Sequence, residues 1–155
     1  MSARVSIQET GFTLLELVTV LLLLAILSTS VFLRWSPGSV TLNAQADQLA
    51  ATLRHAQALA LAQGRGLGLT IQSANAYAIT DGTAVITDPQ GVRQAFTLAN
   101  GATLSGNDLR FDSLGRPIDA SSNLIATARS WTLGADGSTA TVRVEPVTGF
   151  VTVTP

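Results

Sequence analysis

Cysteine is absent from this chain, and so is lysine: all nine basic residues are arginine. The first absence excludes disulfides, thiolate metal sites and cysteine nucleophiles. It leaves the compartment open, because oxidising compartments also hold disulfide-free proteins. Charge is scarce, with Asp, Glu, Lys and Arg at 12% of residues, about half the usual ~25%. Ten acids against nine arginines give a formal net charge of −1. No basic excess recruits nucleic acid, and no acidic tail serves as a solvating arm. His55 is the one histidine. It has no second ligand candidate near it on its helix, and it reads as a surface or packing residue. The serines and threonines from Ser113 to Thr132 therefore lack a triad partner. No Walker loop, zinc spacing or hydrolase elbow is present. An enzyme is not expected, and no cofactor or metal is expected.

What the chain does have is apolar sequence, at 46% of residues. Much of it lies in one run, Phe12 to Leu33, which as a helix would be roughly 33 Å long, enough to cross a ~30 Å hydrocarbon core. A single carboxylate, Glu16, interrupts the run near its start. An acid at membrane depth costs at least a few kcal/mol, so it usually has a partner and a purpose. A cleaved secretory signal ending at Ser28-Thr29-Ser30 is one alternative, but its apolar core is usually only about 7–15 residues. A plain signal-anchor is another. Arg4 before the run and Arg34 after it orient it weakly.

Pro37-Gly38 is expected to interrupt the helix. The helical signal returns from about Thr41 to Gln63, where Leu49, Leu53, Ala56 and Ala60 form one apolar stripe. Gly64 is the expected stop. Beyond it, short β-type runs alternate with turns. Leu67–Gln72 and Ala76–Thr80 read as a hairpin. Ala84–Thr87 and Val92–Leu98 flank the turn Asp88-Pro89-Gln90-Gly91, and Asn100-Gly101 is a second turn. Leu109–Phe111, Leu124–Ala128 and Ser130–Leu133 are further strands. Thr139–Glu145 and Phe150–Val153 form a closing hairpin. The fold class is α+β: a long N-terminal helix, part membrane and part amphipathic, packed on an antiparallel β-rich head.

Three stretches carry a family resemblance. Gly11-Phe12-Thr13-Leu14-Leu15-Glu16-Leu17 resembles the processing site of a type IV prepilin. Leu53-Arg54-His55-Ala56-Gln57-Ala58-Leu59-Ala60 resembles a helix segment of the general secretion H-type pseudopilin and FimT-type minor pilin group, with Gln57 where arginine is common. Leu109-Arg110-Phe111-Asp112-Ser113-Leu114-Gly115-Arg116-Pro117 and Val144-Glu145-Pro146-Val147-Thr148-Gly149-Phe150-Val151 resemble that group's head signatures. The chain is also similar to minor pilins of mannose-sensitive haemagglutinin systems. It departs from the pattern in delaying a helix proline to Pro37 and in carrying Glu9 in its leader. It lacks the disulfide loop of major pilins, which favours a minor subunit.

The resemblance implies a type IV pilin-like fold and a division into leader 1–11, membrane or filament-core helix 12–36, amphipathic helix 37–64 and β-rich periplasmic head 65–155. It implies prepilin peptidase cleavage between Gly11 and Phe12, N-methylation of Phe12, and an assembly role for Glu16, paired with the Phe12 amine of a neighbouring subunit. The implied partners are the prepilin peptidase/N-methyltransferase, other pilin or pseudopilin subunits and the bacterial inner membrane. The implied location is a single-pass inner-membrane protein with a periplasmic head, later part of a periplasmic or surface filament. The implied function is a structural, initiating minor subunit of a type IV pilus or type II secretion filament. The alternative is a DNA-binding minor pilin for uptake. Arg65, Arg93, Arg110, Arg116, Arg129 and Arg143 are scattered along the head, so nucleic acid is not the expected partner unless the strands bring Arg110, Arg116 and Arg143 onto one face. Asn107, Asp108, Asp112 and Asp119 make an oxygen-rich stretch. Its spacing is not that of a calcium loop, and turn capping accounts for it.

Overall fold

The computed structural model describes residues 13–32 and 37–155, with side chains for 13–25 and 41–155. The chain divides into two compact units, residues 1–36 and 37–155. The first contains α1 (Leu14–Phe32). The second contains α2 (Pro37–Gln63) and the strands of the head.

α1 and α2 are separate helices, in keeping with an interruption of the helix, but the second helix begins earlier than the expected Thr41: Pro37 is its first residue. The first residues of a helix have no use for a backbone donor, so proline is tolerated there while it would break an interior turn. The far end follows the prediction. Gly64 takes φ +62° just past Gln63, the left-handed position that glycine fills at least cost. The inward stripe is Leu42, Ala46, Leu49, Ala50, Leu53, Ala56 and Ala60, all buried. Its alanines let the helix backbone approach the sheets closely.

α2 packs on two antiparallel sheets. The five-stranded sheet has β1 (Leu67–Ser73), β2 (Ala76–Thr80), β3 (Ala95–Thr97), β5 (Leu109–Phe111) and β6 (Pro117–Ile118), in the order β3-β2-β1-β5-β6. The four-stranded sheet has β4 (Thr103–Ser105), β7 (Arg129–Ala135), β8 (Ser138–Val144) and β9 (Val151–Thr154), in the order β4-β7-β8-β9. The core lies between helix and sheets and includes Tyr77, Phe111, Trp131 and Val142.

Successive side chains of a strand point to opposite faces, so the register of the four-stranded sheet sorts its residues. Leu104, Leu133 and Ala140 form one row across the strands, and Trp131, Val142 and Val153 another. These rows face the core. Between them, facing solvent, run Ser105–Thr132–Thr141–Thr154, then Thr103–Gly134–Thr139, then Ser130–Arg143–Thr152. The Glu145 N–H donates to Phe150 O (2.9 Å), which extends this outer face by one more pair.

The expected hairpins at β1–β2 and β8–β9 are present. The expected strands Ala84–Thr87 and Val92–Leu98 reduce to isolated bridges, Thr80↔Val85 and Thr87↔Arg93, plus the short β3. Leu124–Ala128 reduces to one bridge, Ile118↔Leu124. In this region side-chain hydrogen bonds take the backbone groups that a ladder would use. Asp88 Oδ1 accepts from Gln90 N–H (3.0 Å) and Val92 N–H (2.8 Å), and Asp119 Oδ1 accepts from Ser121 N–H (2.8 Å) and Asn123 N–H (2.9 Å).

Candidate functional site

Gly11 and Phe12 lie outside the described residues. The start of α1 lies within them. Thr13 precedes the first helical residue, and its Oγ1 accepts the N–H of Glu16 at 3.2 Å. Thr13 and Glu16 thus have the spacing of a capping box, with threonine at the cap and an acid three residues on. That spacing is visible in the sequence, and the half of the box that is formed is the threonine's bond to the Glu16 backbone N–H. The acid also sits at the positive end of the helix dipole. Its side chain is exposed.

Apart from Glu16 and Thr19, α1 is apolar on all sides from Leu14 to Ala25. Leu14 is 81% exposed, and Leu15, Leu17, Val18 and Val20 through Leu24 are exposed as well. A helix that is hydrophobic all round needs a surrounding apolar phase or other helices. Among the described residues no helix is long and apolar enough to cross a membrane. The described side chains of α1 end at Ala25, and Leu14 to Ala25 rises about 18 Å against a ~30 Å hydrocarbon core.

In the head, three sequence segments far apart in the chain meet at Gln57. Its Nε2 donates to Gly115 O (2.8 Å) and to Thr148 O (2.9 Å). One turn earlier, Arg54 Nη2 donates to Val151 O (2.9 Å). A neutral amide with two N–H groups thus serves two turns at the position where the resemblance expects arginine. The close approach leaves no room for side chains. A Cβ on Gly149 (φ +69°) would lie 2.5 Å from Gln57 Nε2 and 3.0 Å from Phe111 Cε1, and one on Gly115 (φ +73°) would lie 3.0 Å from Leu61. This is an architectural junction, holding α2, the β5–β6 turn and the β8–β9 turn in one arrangement.

Asp112 and Asp119 act as turn caps, whereas Asp108 Oδ1 accepts from the N–H of Ile71 on β1 at 2.9 Å. Asp112 Oδ1 accepts from Leu114 N–H and Arg116 N–H, both at 2.9 Å, and its Oδ2 faces the Arg116 guanidinium at 2.7 Å. Burial pushes its carboxyl up, but the Arg116 N–H, the Arg116 side chain and the Leu114 N–H outweigh that and hold it below the usual range. The N–H groups of Ala84 and Thr83 likewise hold Asp81 low, with Arg65 adding to the effect. Asp112 lies apart from Asn107, Asp108 and Asp119, which line another cleft together with Arg129. Among the described residues no group of three or more acids or histidines is placed to hold a metal.

Arg65, Arg110 and Arg116 line one cleft, but Arg143 is not with them; it lies on the solvent face of β8. The cations are already engaged. Arg65 faces Asp81 (3.4 Å), Arg116 faces Asp112 and Arg143 faces Glu145 (2.7 Å). Arg110 Nη2 donates to Asp81 O (3.0 Å). His55 is exposed and borders a cleft with Leu59, Ile86 and Asp88.

Residues 45–148 match the family model described as type II transport protein GspH. No curated protein matches the chain. Among solved structures it is similar to the type IV minor pilin FimU of Pseudomonas aeruginosa strain PAO1. In one crystal form the identity is 15% and the TM-score 0.54, over 74% of this chain and 88% of that one. In a second crystal form the identity is 16% and the TM-score 0.53, over 71% and 90%. At such identities the likeness speaks for the fold, an α+β type IV pilin-like head. The family match covers α2 from Gln45, both sheets up to β8, and the Gln57 junction as far as Thr148. The chain belongs to the GspH family of type II transport proteins.

Proposed function

We propose that this chain is an initiating minor subunit of a type IV pilus or type II secretion filament. In this reading the precursor is clipped between Gly11 and Phe12, Phe12 is methylated, and the mature chain waits in the inner membrane until α1 packs among the helices of its neighbours. The observation that carries the reading is α1 itself. Its apolar residues are exposed on every side, while α2 buries a single stripe. A helix of that kind calls for lipid first and for other helices afterwards. Membership of the GspH family supports sibling subunits as the source of those helices.

Glu16 supplies the register. An unpaired carboxylate among packed apolar helices is heavily penalised, so the Phe12 amine of the adjacent subunit is its natural partner. The test is Glu16→Leu in the full chain. Membrane fractionation should show insertion unchanged, because the run becomes more apolar, while incorporation into filaments falls. Incorporation at the wild-type level would refute the pairing. Intact-mass measurement of membrane-extracted protein should find a chain starting at methylated Phe12. A start at Met1, or after Ser30, would refute the processing step.

A further inference from the structure

The solvent face of the four-stranded sheet is paved with hydroxyls. Its three outer rows hold eight serines and threonines, a glycine and Arg143. Thr103 and Ser105 donate to neighbouring carbonyls, Gly134 O and Thr132 O. The hydroxyls of Ser130, Thr132, Thr139, Thr141, Thr152 and Thr154 make no hydrogen bond to another described residue. Each offers one donor and two acceptor sites. Neighbouring strands lie ~4.8 Å apart and alternate residues of one strand roughly 6.8 Å apart, so the face is a lattice at the scale of a single sugar ring.

One end of the lattice differs. There Phe150 is 64% exposed, opposite Glu145 across the strand pair, and Glu145 is bound to Arg143 at 2.7 Å. Strand propensity accounts for threonines in strands. It does not account for a bare phenyl ring beside an ion pair. Arg143 and Glu145 cancel, so the face has no formal charge and offers no grip to a polyanion. Serine is depleted at protein interfaces, and such a face buries little apolar area. An uncharged, hydroxyl-rich surface with one exposed aromatic platform and one paired cation and anion fits a partner that is itself uncharged and hydroxyl-rich, with apolar C–H faces.

We propose that the outer face of β4, β7, β8 and β9 binds a neutral glycan. A sugar ring stacks on Phe150, Arg143 and Glu145 bond its hydroxyls, and the chain of sugars continues over the threonine rows. The proposal is independent of the filament reading, since none of these residues lies on α1.

The test uses the full chain in a zwitterionic detergent without a sugar headgroup, titrated with cellohexaose, maltohexaose, laminarihexaose and chitohexaose. At least one is expected to shift the NMR signals of Thr132, Thr141, Thr152 and Phe150, with a dissociation constant on the order of 1 mM or tighter. Phe150→Ala should weaken binding about tenfold or more. Thr141→Lys, which sets a charge in mid-lattice, should weaken it too, with the circular dichroism spectrum unchanged in both variants. The proposal is overturned if no hexasaccharide shifts these signals, if the shifts map elsewhere on the head, or if binding survives both substitutions. Tighter binding of heparin or duplex DNA to the same face would also overturn it.

Discussion

Gln57 gives one side-chain amide to two carbonyls, Gly115 O and Thr148 O, that belong to different sheets' turns. Gln57→Leu keeps the volume and removes both bonds. Leaving the part-buried Gly115 carbonyl unpaired costs about 1–3 kcal/mol, while the exposed Thr148 carbonyl can turn to water, so the urea midpoint should fall accordingly. Gly149→Val should cost more, about 2–4 kcal/mol, because it adds a clash with Gln57 and Phe111 to a strained positive φ. Asp112 makes a different prediction. Its carboxyl titrates lower in the folded chain than its ordinary 3.8. Its contribution is therefore fully present well above that value and lost as pH falls through the folded value. Asp112→Asn should flatten the acid limb of the stability–pH curve below about pH 5 and leave its slope near neutrality unchanged. Equal acid limbs for the two proteins would show that the Arg116 contacts do not matter. Residue roles were the least legible part of the sequence. Gln57 reads there only as a departure from a pattern, and Thr13 only as part of a processing motif. Both act through backbone groups that a string of letters does not display.

At the scale of elements, periodicity was enough where one face is buried along a whole element. The stripe Leu49, Leu53, Ala56, Ala60 marks α2, and apolar residues at every second position mark β1, β8 and β9, whereas β2 is buried at four successive residues, Tyr77 to Thr80. It failed at two of the shortest elements, β4 and β6. No period can be read from so few positions, and Pro117 argues against a strand although it sits at the sheet's edge. The turn between β7 and β8 is Asp136-Gly137, a pair that marks a hairpin in the sequence itself. Both residues have positive φ, 49° and 78°, the signature of the commonest two-residue hairpin. The α2 stripe yields a quantitative contrast. Leu53→Ala should destabilise the head by about 2–5 kcal/mol, because it opens a cavity between helix and sheets. Leu61→Ala, on the exposed side at 52%, should change it by no more than about 0.5 kcal/mol. Thermal melts of the two variants decide this, and equal losses would mean that the stripe is not what holds the helix.

For the whole molecule, the near balance of charge says more than any single arginine. The head's cations largely face acids or backbone carbonyls of the same chain. The full chain is expected to bind duplex DNA no more tightly than about 10⁻⁴ M at physiological salt, the weak end of non-specific binding. A micromolar affinity that falls steeply with salt, and falls further in Arg65→Ala and Arg116→Ala, would promote DNA capture over the structural role. Growth by sheet extension is a separate possibility for any protein with an open β edge, and here Arg54 bears on it. β9 is the last strand of its sheet, and the outward carbonyl of Val151 already holds the Arg54 guanidinium. An incoming strand would have to displace that cation before its first ladder bond could form, a device that blunts edge-to-edge aggregation. At this edge the chain is guarded against stacking into an amyloid-like ribbon, even when it is crowded. For the filament subunit proposed above, order between copies would then be left to the helices.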